Sequence, residues 1–400
     1  MAHYKYLIIG GGMTGDAAVR GIRKVDADGS IGMISAEPDP PYKRPPLSKA
    51  LWKGKTLDSI WSKTEALGAD LHLGRTVEAI EPANKRVVDD RGAEYTYDKL
   101  LLATGGKPRR LPFGDGSINY FRTVQDYRNL RADADQGQRF AVIGGGFIGS
   151  EIAAALMMNG KEVVMVFPEE GICSRIFPRD LWQFLNDYYR AKGAELLTDA
   201  TAIGVEPRGE QFAVKTRGVK DGGERDVLVD GVVAGLGIEP NIDLARQTGL
   251  KVENGIVVDE FLRTSAPGIF AAGDVASFAN PALGKRLRVE HEDNANTMGR
   301  IAGQNMTGEL TPYNHLPFFY SDLFDLGYEA VGELDPRLET MSDWKEPYRE
   351  GVVYYLRDGR VGGVLLWNVW GQVEAARRVI AEPGPFRPED LKGRLPEDDR

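Results

Sequence analysis

The chain reads Leu7-Ile8-Ile9-Gly10-Gly11-Gly12-Met13-Thr14-Gly15 near its start and repeats the pattern as Ala141-Val142-Ile143-Gly144-Gly145-Gly146-Phe147-Ile148-Gly149. Each stretch is G-x-G-x-x-G after an apolar strand and before a helix-like segment. One such match is weak evidence, because glycine turns are common. Two in register, each with an acidic residue downstream, point to two nucleotide cofactors on one polypeptide.

The flanking sequence supplies the rest of two βαβ units. Residues 4–10 read as a strand, Gly15 to Lys24 as a helix, and Ile31 to Ile34 as a second strand ending at Glu37. A Pro-rich segment follows, Pro38 to Pro46, and the strand Lys99 to Ala103 ends in Thr104-Gly105-Gly106. The second unit opens at Arg139, with a helix from Gly149 to Asn159, a strand from Glu162 to Phe167 and a helix from Asp180 to Lys192. Asp230 to Ala234 closes it. Gly268 to Asp274 is another strand, and Glu292 to Asn305 a helix rich in small residues. Beyond Thr311 aromatics become dense, strands at 351–356 and 361–366 look antiparallel, and Gln372 to Ile380 is helical. The tail past Pro383 is expected to fray. The predicted class is α/β: two Rossmann-like dinucleotide-binding domains, the second inserted in the first, plus a C-terminal α+β domain. The expected boundaries are 1–108 with 237–310, then 109–236, then 311–400.

Composition narrows the function. Four hundred residues suffice for two or three cores. A net charge of −9 argues against nucleic acid as main partner, because phosphate backbones need clustered Lys and Arg. It leaves room for a local basic patch that docks an acidic protein. The single cysteine, Cys173, forbids an intrachain disulfide or a redox C-x-x-C pair and reads as a small packed hydrophobe. His3, His72, His291 and His315 show no metal-ligand spacing, so no metal site is expected. The first strand starts near Tyr4, and no window of about 18 apolar residues exists. These features give the expectation of a cytoplasmic enzyme without leader or membrane span, monomeric or homodimeric.

Each motif carries its own chemistry. Gly10 permits the tight turn, Gly12 lets backbone approach a pyrophosphate, and Gly15 lets helix and strand pack closely. Glu37, 22 residues past Gly15, suits a ribose diol. Gly144, Gly146 and Gly149 repeat the logic, with Glu169 following after 20 residues. A carboxylate there favours the 2′-hydroxyl of NADH over the 2′-phosphate of NADPH; Arg175 nearby is either a phosphate partner or a solvated charge. Glu151 either offsets a helix dipole or partners a cation beside a flavin, for which Lys49 is the candidate. Lys49 reads equally well as a surface residue. Gly273-Asp274 is a ribityl- or phosphate-contacting element or a capped turn. His291, beside Glu290, reads as structural.

Together, the two fingerprints, Ala103-Thr104-Gly105-Gly106 and Gly273-Asp274 resemble the FAD-dependent pyridine nucleotide–disulfide reductase superfamily. Pro41-Tyr42-Lys43-Arg44-Pro45-Pro46-Leu47-Ser48-Lys49 is similar to its branch of oxygenase-type ferredoxin and rubredoxin reductases and apoptosis-inducing factors. Gly144 to Glu151, Phe167 to Gly171, Val289-Glu290-His291, Gly303 to Gly308 and Gly327 to Gly332 look closest to the apoptosis-inducing factors. The resemblance implies FAD contacts at Gly10, Gly12, Met13, Thr14, Gly15, Glu37, Arg44, Lys49, Val77, Thr104, Gly105, Arg122, Asp274 and His291. It implies NADH contacts at Gly146, Phe147, Ile148, Glu169, Arg175, Gly237 and Glu329. Phe147 would gate the nicotinamide, Lys49 and Glu151 would form an ion pair beside the flavin, and Glu290 and His291 would lie on the nicotinamide side. Tyr320 stands where the family usually has Trp. Glu333 to Val361 leaves too little room for the large C-terminal insertion of mitochondrial members. The implied activity is hydride transfer from NADH to flavin, then electron passage to a small iron–sulfur protein, a quinone or oxygen. The alternative is a redox-sensing interaction protein that holds a reduced flavin–NAD complex.

Overall fold

The structure is a computed structural model that describes residues 1–395. Its contacts divide the chain into two units. The first comprises Met1–Arg44, Thr56–Lys107 and Glu239–Pro317; the second comprises Pro45–Lys55, Pro108–Ile238 and the described residues from Phe318 onward.

In the first unit the apolar run Tyr6 to Ile9 is buried on both faces, as a parallel strand requires. The parallel sheet runs Ala69–Leu73, Ile31–Ser35, Ala2–Ile9, Glu94–Leu102, with Ile269–Ala271 joined at Leu100. The start of Glu94–Leu102 also pairs antiparallel with Arg86–Asp89, which pairs with Val77–Glu81, a meander the sequence pattern does not announce. Helix Met13–Val25 packs against helix Glu292–Met306. A Cβ at Gly21 would lie 2.1 Å from the Arg300 carbonyl oxygen, and one at Gly299 2.4 Å from that of Thr14. The small residues read in the later helix therefore serve a close backbone crossing.

In the second unit the parallel sheet runs Glu195–Leu197, Glu162–Val166, Arg139–Ile143, Gly231–Ala234, Asn119–Tyr120. Three antiparallel strands, Ala200–Arg208, Gln211–Gly218 and Glu224–Val229, pack Val205, Val214 and Val227 into the same core. The C-terminal sheet runs Phe318–Leu323, Leu326–Gly332, Arg360–Trp367, Glu350–Arg357, Glu339–Glu346, and helix Val373–Ala381 packs on its middle strands.

Two sequence expectations need correction. The helices begin at Met13 and Phe147, two residues before the expected Gly15 and Gly149. The third glycine sits inside the first turn because a Cβ there would strike the first glycine's carbonyl oxygen, at 2.2 Å for Gly15 and 1.9 Å for Gly149. The tail does not fray up to residue 395. A short helix, Pro388–Leu391, buries Leu391; Arg394 pairs with Glu382, and the Gly393 N–H donates to Asp343 Oδ2 at 2.7 Å. Residues 396–400 of that tail lie outside the described residues. Among the described residues no helix is long and apolar enough to cross a membrane, and no cluster of three or more His, Cys, Asp and Glu could hold a metal ion.

Candidate functional site

The two glycine turns have nearly the same backbone. Gly10 has φ +119°, Gly144 φ +111°, a region that disfavours any side chain. A Cβ at Gly10 would lie 2.1 Å from the Ala103 carbonyl oxygen, and one at Gly144 2.5 Å from that of Gly235. Gly12 and Gly146 stand at the N-caps of their helices, where a glycine offers no side chain to bond the first-turn N–H groups. A Cβ at Gly146 would meet nothing within 4 Å, and one at Gly12 only Arg44 Nη2 at 4.0 Å. Helix N-termini with a positive dipole end and an open approach fit a pyrophosphate in each unit.

In the first unit a polar network surrounds the turn. Glu37 follows strand Ile31–Ser35 and accepts from the Tyr42 hydroxyl at 2.5 Å and from Arg44. The Arg44 guanidinium lies 5.1 Å from the Tyr42 ring centre. Burial works against its charge, but Tyr42, Glu37 and Asp274 overcome that and hold its pKa above the ordinary value. The Arg44 N–H reaches the Met13 sulfur at 3.4 Å. Gly273 packs against Thr14, placing Asp274 on this side of the sheet. Arg288 donates to the Asp274 carbonyl at 3.1 Å and pairs with Glu290 at 2.7 Å; His291 caps helix Glu292–Met306. Thr104 exchanges hydrogen bonds with Asn241, whose N–H also donates to the Gly105 carbonyl. Val77 is buried in the meander, three residues past Gly74, whose N–H donates to the Glu37 carbonyl.

The second unit holds a buried charge pair. Phe147 and Glu151 are one turn apart on helix Phe147–Met158 and share a face. Glu151 is 3% exposed, and Lys49 Nζ lies 2.6 Å from its Oε1. Ser48 donates to Oε2 and Ser321 to Oε1, each at 2.6 Å. Lys49 Nζ also lies 5.4 Å from the ring centre of Tyr320, whose cross-strand neighbour is Glu329. Glu329 accepts from the Gly371 N–H at 3.0 Å. The Phe147 and Phe319 rings meet edge to face at 5.1 Å. Past strand Glu162–Val166, Glu169 pairs with Arg175 at 2.5 Å, and Arg175 is 81% exposed. Ile148 is exposed beside Gly146, and Gly237, at φ +79°, carries a carbonyl that accepts from the Arg109 N–H. Lys49 and Arg122, read alongside the first-turn residues, both lie in this second unit; the Arg122 N–H donates to Asp126 at 3.0 Å.

The sequence assigns Ser48 and Ser321 no role of their own. Ser48 sits in the quoted motif beside Lys49, and Ser321 beside Tyr320, so adjacency to singled-out residues was the available signal. Cys173 is buried, and its N–H donates to the Gly145 carbonyl at 2.8 Å. Burial pushes its thiol up to about 12.

Residues 4–299 match the family described as "Pyridine nucleotide-disulphide oxidoreductase", and 302–347 with 342–382 match "Apoptosis-inducing factor, mitochondrion-associated, C-term". The chain is 35% identical to "Apoptosis-inducing factor 1, mitochondrial" of Dictyostelium discoideum, across 94% of this chain and 78% of that protein. It is 35% identical to the "Anthranilate 1,2-dioxygenase system ferredoxin--NAD(+) reductase component" of Burkholderia cepacia, across 96% of each. A chain in the crystal structure of the covalent putidaredoxin reductase–putidaredoxin complex superposes with a TM-score of 0.89 at 30% identity, covering 98% of this chain and 96% of that one. With two glycine turns built for dinucleotides and these matches along nearly its whole length, the chain belongs to the pyridine nucleotide–disulphide oxidoreductase family, in its ferredoxin reductase and apoptosis-inducing factor branch, as a flavoprotein oxidoreductase using FAD and NAD(P)H.

Proposed function

We propose that the protein is an FAD-dependent NADH oxidoreductase that passes electrons from the flavin to a small iron–sulfur protein of the ferredoxin class. The observation that carries the reading is the pair of open glycine turns, each followed by a carboxylate, in a chain with one cysteine. FAD supplies hydride acceptance from a nicotinamide and release of single electrons. The residues do the rest. The Gly10 turn, the helix start at Met13 and Arg44 bind one pyrophosphate; the Gly144 turn binds the other. Glu37 and Glu169 take ribose hydroxyls. Glu151 pairs with Lys49 in a buried setting, where a cation would stabilise an electron-rich ring. Phe147 shields the nicotinamide face. A lone Cys173, buried as an un-ionised thiol, would provide no disulfide relay between FAD and an acceptor.

The test is spectroscopic. The purified protein is expected to be yellow, to bleach with NADH and to reduce a [2Fe–2S] ferredoxin faster than a quinone or oxygen. Colourless protein that takes up no FAD contradicts the reading.

A second reading has its own support, the match of residues 302–382 to the apoptosis-inducing factor C-terminal family. There the protein holds a long-lived reduced flavin–NAD complex and acts through its surface. A long-wavelength charge-transfer band persisting in air, with slow ferredoxin reduction, would favour it.

A further inference from the structure

We propose that Ser321 and Ser48 are positioning residues that act through Glu151 to hold Lys49. The inference rests on the proposed function and adds to it the groups that orient its buried cation. Glu151 and Lys49 are 3% and 11% exposed, and a buried ion pair is sustained only when the remaining lone pairs are filled. The structure fills them from two distant parts of the chain. Ser48, in the turn Pro45–Ser48, bonds Oε2; Ser321, on strand Phe318–Leu323, bonds Oε1 beside Lys49 Nζ. Both serines are buried, so their donors are aimed rather than solvated. Three donors converge on one carboxylate and fix its plane.

Tyr328, opposite Ser321 in the sheet, is buried, and desolvation raises its pKa well above the ordinary value, so it is a neutral phenol beside this serine. The Tyr189 hydroxyl donates to the Ser150 carbonyl at 2.9 Å. Ser321 thus makes strand Phe318–Leu323 part of the apparatus that orients Lys49, a task a merely apolar contact could not perform.

The test uses the purified flavoprotein with Ser321→Ala and Ser48→Ala, each alone and combined with Glu151→Gln. Stopped-flow reduction by NADH gives a limiting rate and a half-saturating concentration, and amine-reactive labelling with mass spectrometry gives the accessibility of Lys49. Each serine substitution is expected to lower the limiting rate about tenfold, the scale of a lost hydrogen bond to a charge, with half-saturation moving less than about twofold. Lys49 labelling should rise several-fold. In the Glu151→Gln background the serine substitutions should add less than about a twofold effect, because they act through that carboxylate. Equal losses in both backgrounds, or unchanged rate and labelling, overturn the proposal. Ser48→Ala carries the same test should Ser321→Ala fail to fold. A wild-type flavin that NADH does not bleach overturns the functional reading as well; a bleaching wild type with unaffected serine variants overturns only this inference.

Discussion

The two glycine turns share a backbone and differ in what holds the carboxylate downstream. Glu37 is locked by Tyr42 and Arg44, in a pair whose side chains are about a quarter exposed. Glu169 pairs with Arg175, which is 81% exposed, a pair that solvent and salt weaken. The first turn is a finished network with its cation in place. The second is open, with Phe147 and Glu151 on its helix. Preorganisation at one turn suits a ligand that stays, and an open turn suits one that comes and goes.

Substitutions at the two turns should break this contrast in different ways. Gly10→Ala puts a Cβ against the Ala103 carbonyl at a φ only glycine tolerates, and is expected to abolish FAD retention, read as loss of visible absorbance per protein. Gly144→Ala meets the same obstacle from Gly235 but should leave the protein yellow and unresponsive to NADH. Equal flavin loss in both variants would erase the distinction. Next in size, Glu151→Gln or Lys49→Ala should slow flavin reduction about a hundredfold, the scale of removing one preorganised electrostatic group. Unaltered stopped-flow rates would remove the pair from the chemistry.

Glu169→Ala should lower the NADH:NADPH ratio of kcat/KM about tenfold, while Glu37→Ala leaves that ratio alone. Unchanged selectivity in Glu169→Ala would refute the assignment. The smallest effect is a pH dependence at the second turn. The Cys173 thiol is raised from its ordinary 9.0 to about 12 by burial, so above pH 9 the unfolded chain loses this proton before the folded one. The contribution is intact below pH 9 and falls as pH rises toward 12, by at most about 1.4 kcal/mol per pH unit. Denaturation from pH 8 to 10.5 should show a steeper loss in wild type than in Cys173→Ala; parallel curves would contradict it.

Local pattern carried much of this architecture. Apolar strands, glycine spacing and the downstream acids are short-range signals, and both βαβ units are legible from them. The partnership of Lys49 with Glu151 was legible only as one option, because 102 residues separate them and spacing says nothing of burial. Ser321 lies 170 residues from Glu151, a contact made by tertiary packing. The meander at 77–89 and the strands at 200–229 are hidden in the sequence because their exposed faces interrupt the apolar runs. Up to residue 395 the tail departs from the expectation because its Pro and charged residues conceal Leu391 and Leu395, which are both buried.

On the proposed function a nicotinamide nucleotide would supply electrons to FAD, and no disulfide would relay them onward. Anaerobic titration of the purified protein with NADH, followed in the visible flavin band, tests it most directly. The account predicts complete bleaching at about one NADH per flavin, the two-electron capacity of FAD alone. No bleaching, or an end point near two equivalents that reveals a second redox centre, would contradict it.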